Sequence, residues 1–394
     1  MNLLLNTESM RPPLTGIGNY TYHLVQELSR RGEIKDFRCF DGQHFLSPEQ
    51  MLQQCDEAAA NYHQASPVRN AASSGLVSFI RKIPGAYGAR QAVRDLRLLQ
   101  QTRRHRGYLY HEPNFILKNH PGPKVATIHD LSFIHYPQFH PTERVEWMMG
   151  GLNDTIKRAD MLLTVSELVR SELIERLNVE PERVRAIHLG VDASYHPRSA
   201  EQTQTVMTRH GLRHGSYLLF VGTLEPRKGV DLLMDAWARL PGEMRREFPL
   251  VLVGSSGWRN QQMLDRVREL ESSEGLRWLR YVPSEELPQI YAGAATFAYP
   301  SLYEGFGLPV LEAMASGVPV VCTAGTSMAE FAGEAPLLFS QGSTEALSDC
   351  LQRLFADSAL RNQRSDIGLR LAGSFTWSRF AARTCDAYRT VASY

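Results

Sequence analysis

Short apolar runs recur along the chain, and longer amphipathic stretches separate them. That alternation predicts an α/β protein with parallel sheets. Residues 2–6 read as a first strand, followed by the loop Thr15-Gly-Ile-Gly-Asn19 and a helix to about Arg31, where Gly32 supplies a stop. Further strands are predicted over 107–110, 124–128 and 161–165. Each runs into a polar cluster: His111-Glu-Pro-Asn114, His129-Asp130 and Ser166-Glu167. In open α/β sheets, ligands bind at the carboxyl ends of the strands, so this repeated placement is itself a functional signal. Ser166 is placed to cap the following helix, with Glu167 in its first turn.

The same grammar restarts in the second half. The stretch 197–215 is polar and bounded by proline and glycine, and predicts a region between two domains, with the link near 196–198. A strand over 217–221 then leads into Gly222-Thr-Leu-Glu-Pro-Arg-Lys-Gly229 and a helix from about Val230. Strands follow over 250–253, near 279–282 and over 296–299, and 377–391 reads as a last helix.

Composition narrows the class. With 394 residues, 43% of them apolar and 22% charged, two domains of about 190 residues each can bury separate cores. The 43 Lys and Arg balance 42 Asp and Glu to a net charge of +1, which argues against a dedicated nucleic-acid binder. Five scattered cysteines without a CxxC pair fit a reducing compartment. The N-terminus lacks the pattern of a signal peptide, and no apolar run approaches the roughly 18 residues of a spanning helix, so a cytoplasmic enzyme is expected. No Asp-x-Asp and no His/Cys cluster with ligand spacing occurs, so no metal is required. One local asymmetry stands out. Eight basic residues crowd 81–106 against Asp95 alone, interleaved with apolar residues. That segment fits either a solvated helix face or a helix lying on an anionic membrane.

The most informative run is 300–322. Pro300 ends a strand, and Gly305 and Gly307 allow close backbone approach or positive φ. Pro309 suits a first helical position, a short helix follows to Ser316, and Gly317 stops it. A glycine loop feeding a helix N-terminus presents unpaired N–H groups and a positive dipole end, which suits phosphate. Glu304 falls in the loop and Glu312 about one turn into the helix. One carboxylate can reach the group attached to the phosphate while the other accepts hydrogen bonds from vicinal hydroxyls.

This run resembles the Glu-x7-Glu motif of retaining glycosyltransferases of the GT-B fold, family 4. The resemblance extends in order over nearly the whole chain: Gly16-Ile-Gly18-Asn-Tyr20, His111-Glu-Pro-Asn114, Val125-Ala-Thr-Ile-His129-Asp130, Thr164-Val-Ser-Glu167, Gly190-Val-Asp192, the 222–229 loop, Leu252-Val-Gly254 with Gly257-Trp258, and Tyr281-Val-Pro-Ser-Glu-Glu-Leu287. It implies two Rossmann-like domains facing across a cleft: 1–196 on the acceptor side, 197–374 binding the nucleotide sugar, and 375–394 returning as a helix to the first domain.

The resemblance also implies roles. Glu312 holds ribose hydroxyls, Glu304 contacts the transferred sugar, and Phe306, Gly307 and Leu308 offer backbone N–H groups. Arg227 and Lys228 neutralise the leaving diphosphate, and His129 touches the donor sugar. Gly16 and Gly18 approach the diphosphate and acceptor, Asp130 lies at the same strand end, and Val282 belongs to the loop around the base. Many members have Arg directly after the first glycine of the clamp loop. Here Thr223 follows Gly222, which leaves Arg227 and Lys228 to do the clamping. The clamp is similar to that of bacterial mannosyl- and deoxyhexosyltransferases of surface-polysaccharide assembly. The implied donor is thus a nucleotide diphosphate sugar, GDP-mannose or GDP-rhamnose type before a UDP-sugar, and the implied acceptor a lipid-linked glycan at the inner face of the membrane. Two other functions stay open on the residues: a nucleotide-sugar epimerase, and a non-catalytic nucleotide-sugar-binding subunit.

Overall fold

The computed structural model describes residues 1–12, 14–64, 105–257 and 261–392. Trp258 and the basic 81–106 segment, apart from His105 and Arg106, lie outside the described residues.

The chain forms two parallel-sheet α/β layers, as the alternation predicts. In the first sheet β1 (Asn2–Asn6), β2 (Asp36–Phe40), β3 (Phe45–Leu46), β4 (Leu109–Glu112), β5 (Lys124–Ile128), β6 (Met161–Thr164) and β7 (Val184–Ala186) lie in the order β3-β2-β1-β4-β5-β6-β7. Only the two-residue edge strand β3 runs antiparallel to its neighbour. The second sheet contains β8 (Leu218–Val221), β9 (Leu250–Val253), β10 (Arg277–Leu279), β11 (Thr296–Tyr299), β12 (Val320–Thr323) and β13 (Leu337–Phe339), in the order β10-β9-β8-β11-β12-β13 and parallel throughout. The central strands are buried on both faces: Leu3, Leu4 and Leu5, and likewise Leu218, Leu219 and Phe220, are fully inaccessible. That is why they read as continuous apolar runs rather than as alternation. In each sheet the order reverses beside its first strand, between β1 and β4 and between β8 and β11. Loops after these strands open toward a ligand crevice.

Several boundaries differ from expectation for identifiable reasons. β4 lies two residues later than predicted, because it pairs with β1 from Leu109 and with β5 from Tyr110. His111 and Glu112 therefore sit inside the strand and are buried. The first helix, Gly16–Ser29, ends with Arg30 still right-handed, so Gly32 is not its stop. The polar stretch after 197 is no loose link. Ser199 and Gln202 form a reciprocal capping box that starts the helix Ala200–His210, whose Val206 and Met207 are buried. Ser166 does cap its helix, accepting from the Val169 N–H at 3.2 Å.

The final helix, Trp377–Ala392, packs against the first helix, 16–29. Trp377 stacks on His23 with centroids 4.3 Å apart, and Phe380 meets Tyr20 edge-on at 5.1 Å. The chain's last described element thus completes the core of its first.

Candidate active site

The loop after β11 is built to aim a carboxylate. Gly307 has φ +103°, a conformation that side-chain-bearing residues rarely adopt, and it redirects the chain into the helix Leu308–Ala315. Ser327 Oγ lies 2.7 and 3.0 Å from the carbonyls of Glu304 and Phe306, shares its one hydrogen between them and pins the loop from behind. Glu304 Oε1 then accepts from Lys228 Nζ at 2.6 Å and from Ser301 Oγ at 2.6 Å, with Arg227 Nη1 3.4 Å away. Both cations come from the short helical turn Pro226–Lys228 after β8. Lys228 also donates to the Tyr299 hydroxyl at 2.9 Å, and the Arg227 guanidinium bonds Glu225 at 2.8 Å and the Tyr303 carbonyl.

The charges follow from this packing. Burial alone would push the Glu304 carboxyl up, but Lys228 and Arg227 outweigh it and hold it down at about 2, so Glu304 is an anion. Burial likewise opposes the Lys228 and Arg227 charges. Glu304 overrides it, helped by Tyr299 at Lys228 and by Glu225 at Arg227, and leaves both cations above their ordinary values.

Glu312 behaves differently. Its Oε2 accepts from the Tyr291 hydroxyl at 2.8 Å, and Tyr195, reaching in from the segment that joins the halves, also bonds it. Burial pushes this carboxyl up to about 7 despite both hydroxyls. The Glu-x7-Glu pair therefore contains one permanent anion and one group poised near neutrality.

In the first half, His129 follows β5 and is nearly buried. Its Nε2 lies 2.7 Å from the Pro113 carbonyl, an acceptor only, so Nε2 carries the hydrogen and Nδ1 keeps its lone pair. Burial depresses its pKa, against the Pro113 bond and the Asp130 charge. Asp130 Oδ1 accepts from the Ser132 N–H at 2.8 Å. Gly16 opens the first helix, and a Cβ there would meet nothing within 4 Å. Gly18 is buried, and a Cβ there would come 3.0 Å from the Ser9 carbonyl, so Gly18 is needed for packing. His111 is structural: its ring nitrogens lie 2.6 Å from the Tyr388 hydroxyl and 2.8 Å from Thr127 Oγ1, and burial depresses its pKa to about 3. It ties the last helix to the first sheet.

The halves meet at this point. A Cβ on Gly305 would lie 1.8 Å from the His129 carbonyl oxygen, so glycine here is demanded by the facing backbone. Beside this contact a cavity of about 420 Å³ opens, lined by Asp130, Phe139 and His140 from the first half and by Thr223, Glu225 and Arg227 from the second. Of the residues singled out from the sequence, Glu304, Lys228, Arg227, His129 and Asp130 converge here, and Phe306, Gly307 and Leu308 continue the same loop. Phe306 is buried, its ring stacked on Phe331 at 4.5 Å, so only its backbone is available. Val282 lies three residues past β10 and packs, partly buried, against a hydrophobic core drawn from both halves.

Sequence reasoning missed several polar partners. Tyr291, Tyr195 and Tyr299 serve the two glutamates and the lysine. Glu330, from the second half, accepts from the Glu167 and Leu168 N–H groups at 2.8 and 2.9 Å and lies 2.7 Å from His188 Nε2, all in the first half. Tyr303 was detectable in principle, since it immediately precedes Glu304 in the run. Among the described residues no group of three or more His, Cys, Asp or Glu is arranged to hold a metal ion, and no helix is long and apolar enough to cross a membrane.

Two parallel sheets with this crevice, an ionised loop carboxylate and two buried cations have the make-up of a site for an anionic, hydroxyl-bearing ligand. Known proteins narrow the class. Residues 14–195 match the family described as Glycosyltransferase Family 4, and residues 208–369 match Glycosyl transferases group 1. The chain is 35% identical over 389 residues to the O-antigen chain mannosyltransferase B of Escherichia coli, covering 99% of this chain and all of that one. It is 27% identical over 284 residues to the serotype-specific mannosyltransferase WbdA of Escherichia coli, a stretch that is 68% of this chain and 34% of that longer protein. The fold matches WaaG, a glycosyltransferase involved in lipopolysaccharide biosynthesis, with a TM-score of 0.71 at 15% identity over 98% of this chain and 99% of that one. Anabaena HepE in complex with UDP gives 0.71 at 17% identity, over 99% and 100%. The chain belongs to the glycosyltransferases, with a family 4 domain in its first half and a group 1 domain in its second, in the GT-B fold.

Proposed function

We propose that this protein is a retaining hexosyltransferase that moves mannose, or a related deoxyhexose, from a GDP-sugar to a lipid-linked glycan during O-antigen or exopolysaccharide assembly at the cytoplasmic side of the membrane. The reading is supported by similarity to an O-antigen mannosyltransferase along the whole chain. The observation that carries it is the triad of Glu304, Lys228 and Arg227 set against His129 and Asp130 across the crevice. We divide the chain at 196/197, with the helix beyond 375 belonging to the first domain.

In this reading the donor diphosphate lies against Lys228 and Arg227 and the first-turn N–H groups beyond Phe306 and Gly307, with Gly16 approaching from the facing half. Negative charge grows on the diphosphate as the glycosidic bond breaks. Cations already oriented by Glu304, Tyr299, Glu225 and the Tyr303 carbonyl stabilise that charge without reorganising. These two side chains supply the positive charge that a divalent ion would otherwise bring, so the reading requires no metal. Ionised Glu304 accepts hydrogen bonds from the transferred sugar. Glu312, exchanging its tyrosine partners, accepts from the ribose hydroxyls. The lone pair on His129 Nδ1 accepts from a donor-sugar hydroxyl, and Val282 borders the base.

The test is a panel of GDP-mannose, GDP-rhamnose, UDP-glucose, ADP-glucose and dTDP-glucose scored by thermal shift, since a ligand that binds only the folded state raises its apparent stability. Transfer from the preferred donor to a lipid-linked mannose acceptor follows, with product anomeric configuration read by NMR. Preference for a UDP-sugar would move the donor assignment, an epimer without acceptor would replace the reaction class, and an inverted linkage would remove the retaining mechanism.

A further inference from the structure

One residue reaches across the crevice and touches both halves of the site. Tyr303 belongs to the loop after β11, immediately before Glu304, yet its hydroxyl is seated in the first half. It donates to Glu172 Oε2 at 2.6 Å and accepts from the Leu131 N–H at 3.0 Å. Leu131 is two residues past His129. The other Glu172 oxygen lies 2.8 Å from His135 Nε2, and the His135 and Tyr303 ring centroids are 4.9 Å apart. The socket is thus made by three first-half residues and is nearly closed, with Tyr303 6% and Glu172 9% exposed.

The same residue's carbonyl works in the second half. It accepts from the Arg227 guanidinium, and Ser301 Oγ, 3.2 Å from it, donates its one hydrogen to Glu304 at 2.6 Å. The Tyr303 hydroxyl and carbonyl therefore connect the strand-end segment carrying His129 to the cation and carboxylate of the opposite wall. If the halves separate, the hydroxyl leaves its socket while the Arg227 and Ser301 bonds remain, because these are made within the second half. Seating the hydroxyl fixes the height and angle of Glu304 and Arg227 relative to His129.

We propose that Tyr303 is a positioning residue: its hydroxyl, locked by Glu172 and the Leu131 N–H, couples closure of the two halves to the alignment of Glu304 and Arg227 for transfer. The inference rests on the transfer reading above and adds to it a residue that touches neither donor nor acceptor. A buried tyrosine hydroxyl bonded on both sides is costly to strand, so its loss falls on both partners. Small displacements of reacting groups lower the rate of the chemical step more than they lower binding.

The experiment compares wild type with Tyr303→Phe, Glu172→Ala and the double variant, using GDP-mannose and UDP-glucose as probes. Tyr303→Phe is expected to lower kcat about tenfold or more while donor KM moves less than about threefold. The double variant is expected to be no slower than the worse single one, because both remove one lock. Small-angle scattering provides a readout independent of activity: wild type with bound probe is compact, as the seated hydroxyl requires, whereas Tyr303→Phe binds the probe and has a larger radius of gyration. Unchanged kcat, effects that multiply in the double variant, or equal compaction would overturn the proposal. If wild type transfers from neither probe, the proposed reaction fails by itself. The lock is then decided by scattering from the ligand-free chains, where a Tyr303→Phe radius of gyration larger than wild type supports it and an identical one overturns it.

Discussion

Lys228 Nζ lies 2.6 Å from Glu304 Oε1, 76 residues away in sequence, and each side chain keeps the other ionised in a largely buried site. Removing Glu304 strands the buried Lys228 charge, which typically costs about 3–5 kcal/mol, whereas removing Lys228 leaves Glu304 still held by Arg227 and Ser301 and costs less. Lys228→Ala should lower kcat for sugar transfer by about 10²–10³, the range seen when one preorganised electrostatic group is lost. Chemical denaturation should show reduced stability in the same variant. Steady-state kinetics with the preferred donor checks the first expectation; an unchanged kcat would remove Lys228 from the clamp.

Glu312 predicts a pH dependence with a definite sign. Its folded pKa of about 7 lies above the ordinary value of 4.5, so the folded chain holds more protons between these pH values. Its contribution to stability is complete below about 4.5 and is lost as pH rises through 7. Glu112, pushed up to about 7 by burial, adds a term of the same sign. Glu312→Gln should therefore flatten the stability profile between pH 4.5 and 7 in part, not wholly, as followed by urea unfolding across pH. Ribose hydroxyls prefer an ionised acceptor, so donor affinity should rise from pH 6 to 8 in wild type and stay flat in the variant. Calorimetry in buffers of different ionisation enthalpy checks this, because binding to wild type near neutrality releases a proton.

Gly305→Ala should block the approach of the two halves, because the new methyl would sit 1.8 Å from the His129 carbonyl oxygen. Circular dichroism should be unchanged, since Gly305 needs no positive φ. If the proposed transfer uses both walls of the crevice, it should fall by about 10²-fold or more, as expected when facing groups are displaced by an ångström. Normal activity would show that the halves can work without this contact.

Glu330 caps the helix Glu167–Leu177 from the opposite half, and Ser166 caps the same helix from within its own. Loss of such a cap costs about 0.5–2 kcal/mol. Glu330→Ala should lower the thermal midpoint and separate the unfolding of the two halves, while Ser166→Ala should lower it without separating them. Differential scanning calorimetry distinguishes these outcomes, and a single unaltered transition in Glu330→Ala would deny the bridge.

Much of the fold was legible in the sequence, because strand and loop signals are local. The leucine run at 3–5 and the apolar stretches at 124–128, 250–253 and 296–299 need only their own neighbours to be recognised as buried parallel strands. The candidate site was legible in part for the same reason. Glu304, Gly307 and Glu312 lie within one short run whose spacing carries its meaning, and Arg227 and Lys228 share a single loop.

Tertiary structure decided the partners. Tyr303 meets Glu172 across 131 residues, Glu330 meets Glu167 across 163, and His111 meets Tyr388 across 277. No periodicity links such pairs, because a hydrogen bond between distant segments is created by how the sheets and helices stack and leaves no pattern in either segment. Burial explains the rest. His111 and Glu112 read as polar loop residues, yet they sit inside β4 because the neutral imidazole and the shared carboxylate find partners on adjacent elements. By itself the sequence determined which residues carry charge and which segments form strands. Only packing decided which charges face each other, and so which of the two glutamates is a fixed anion and which titrates near neutrality.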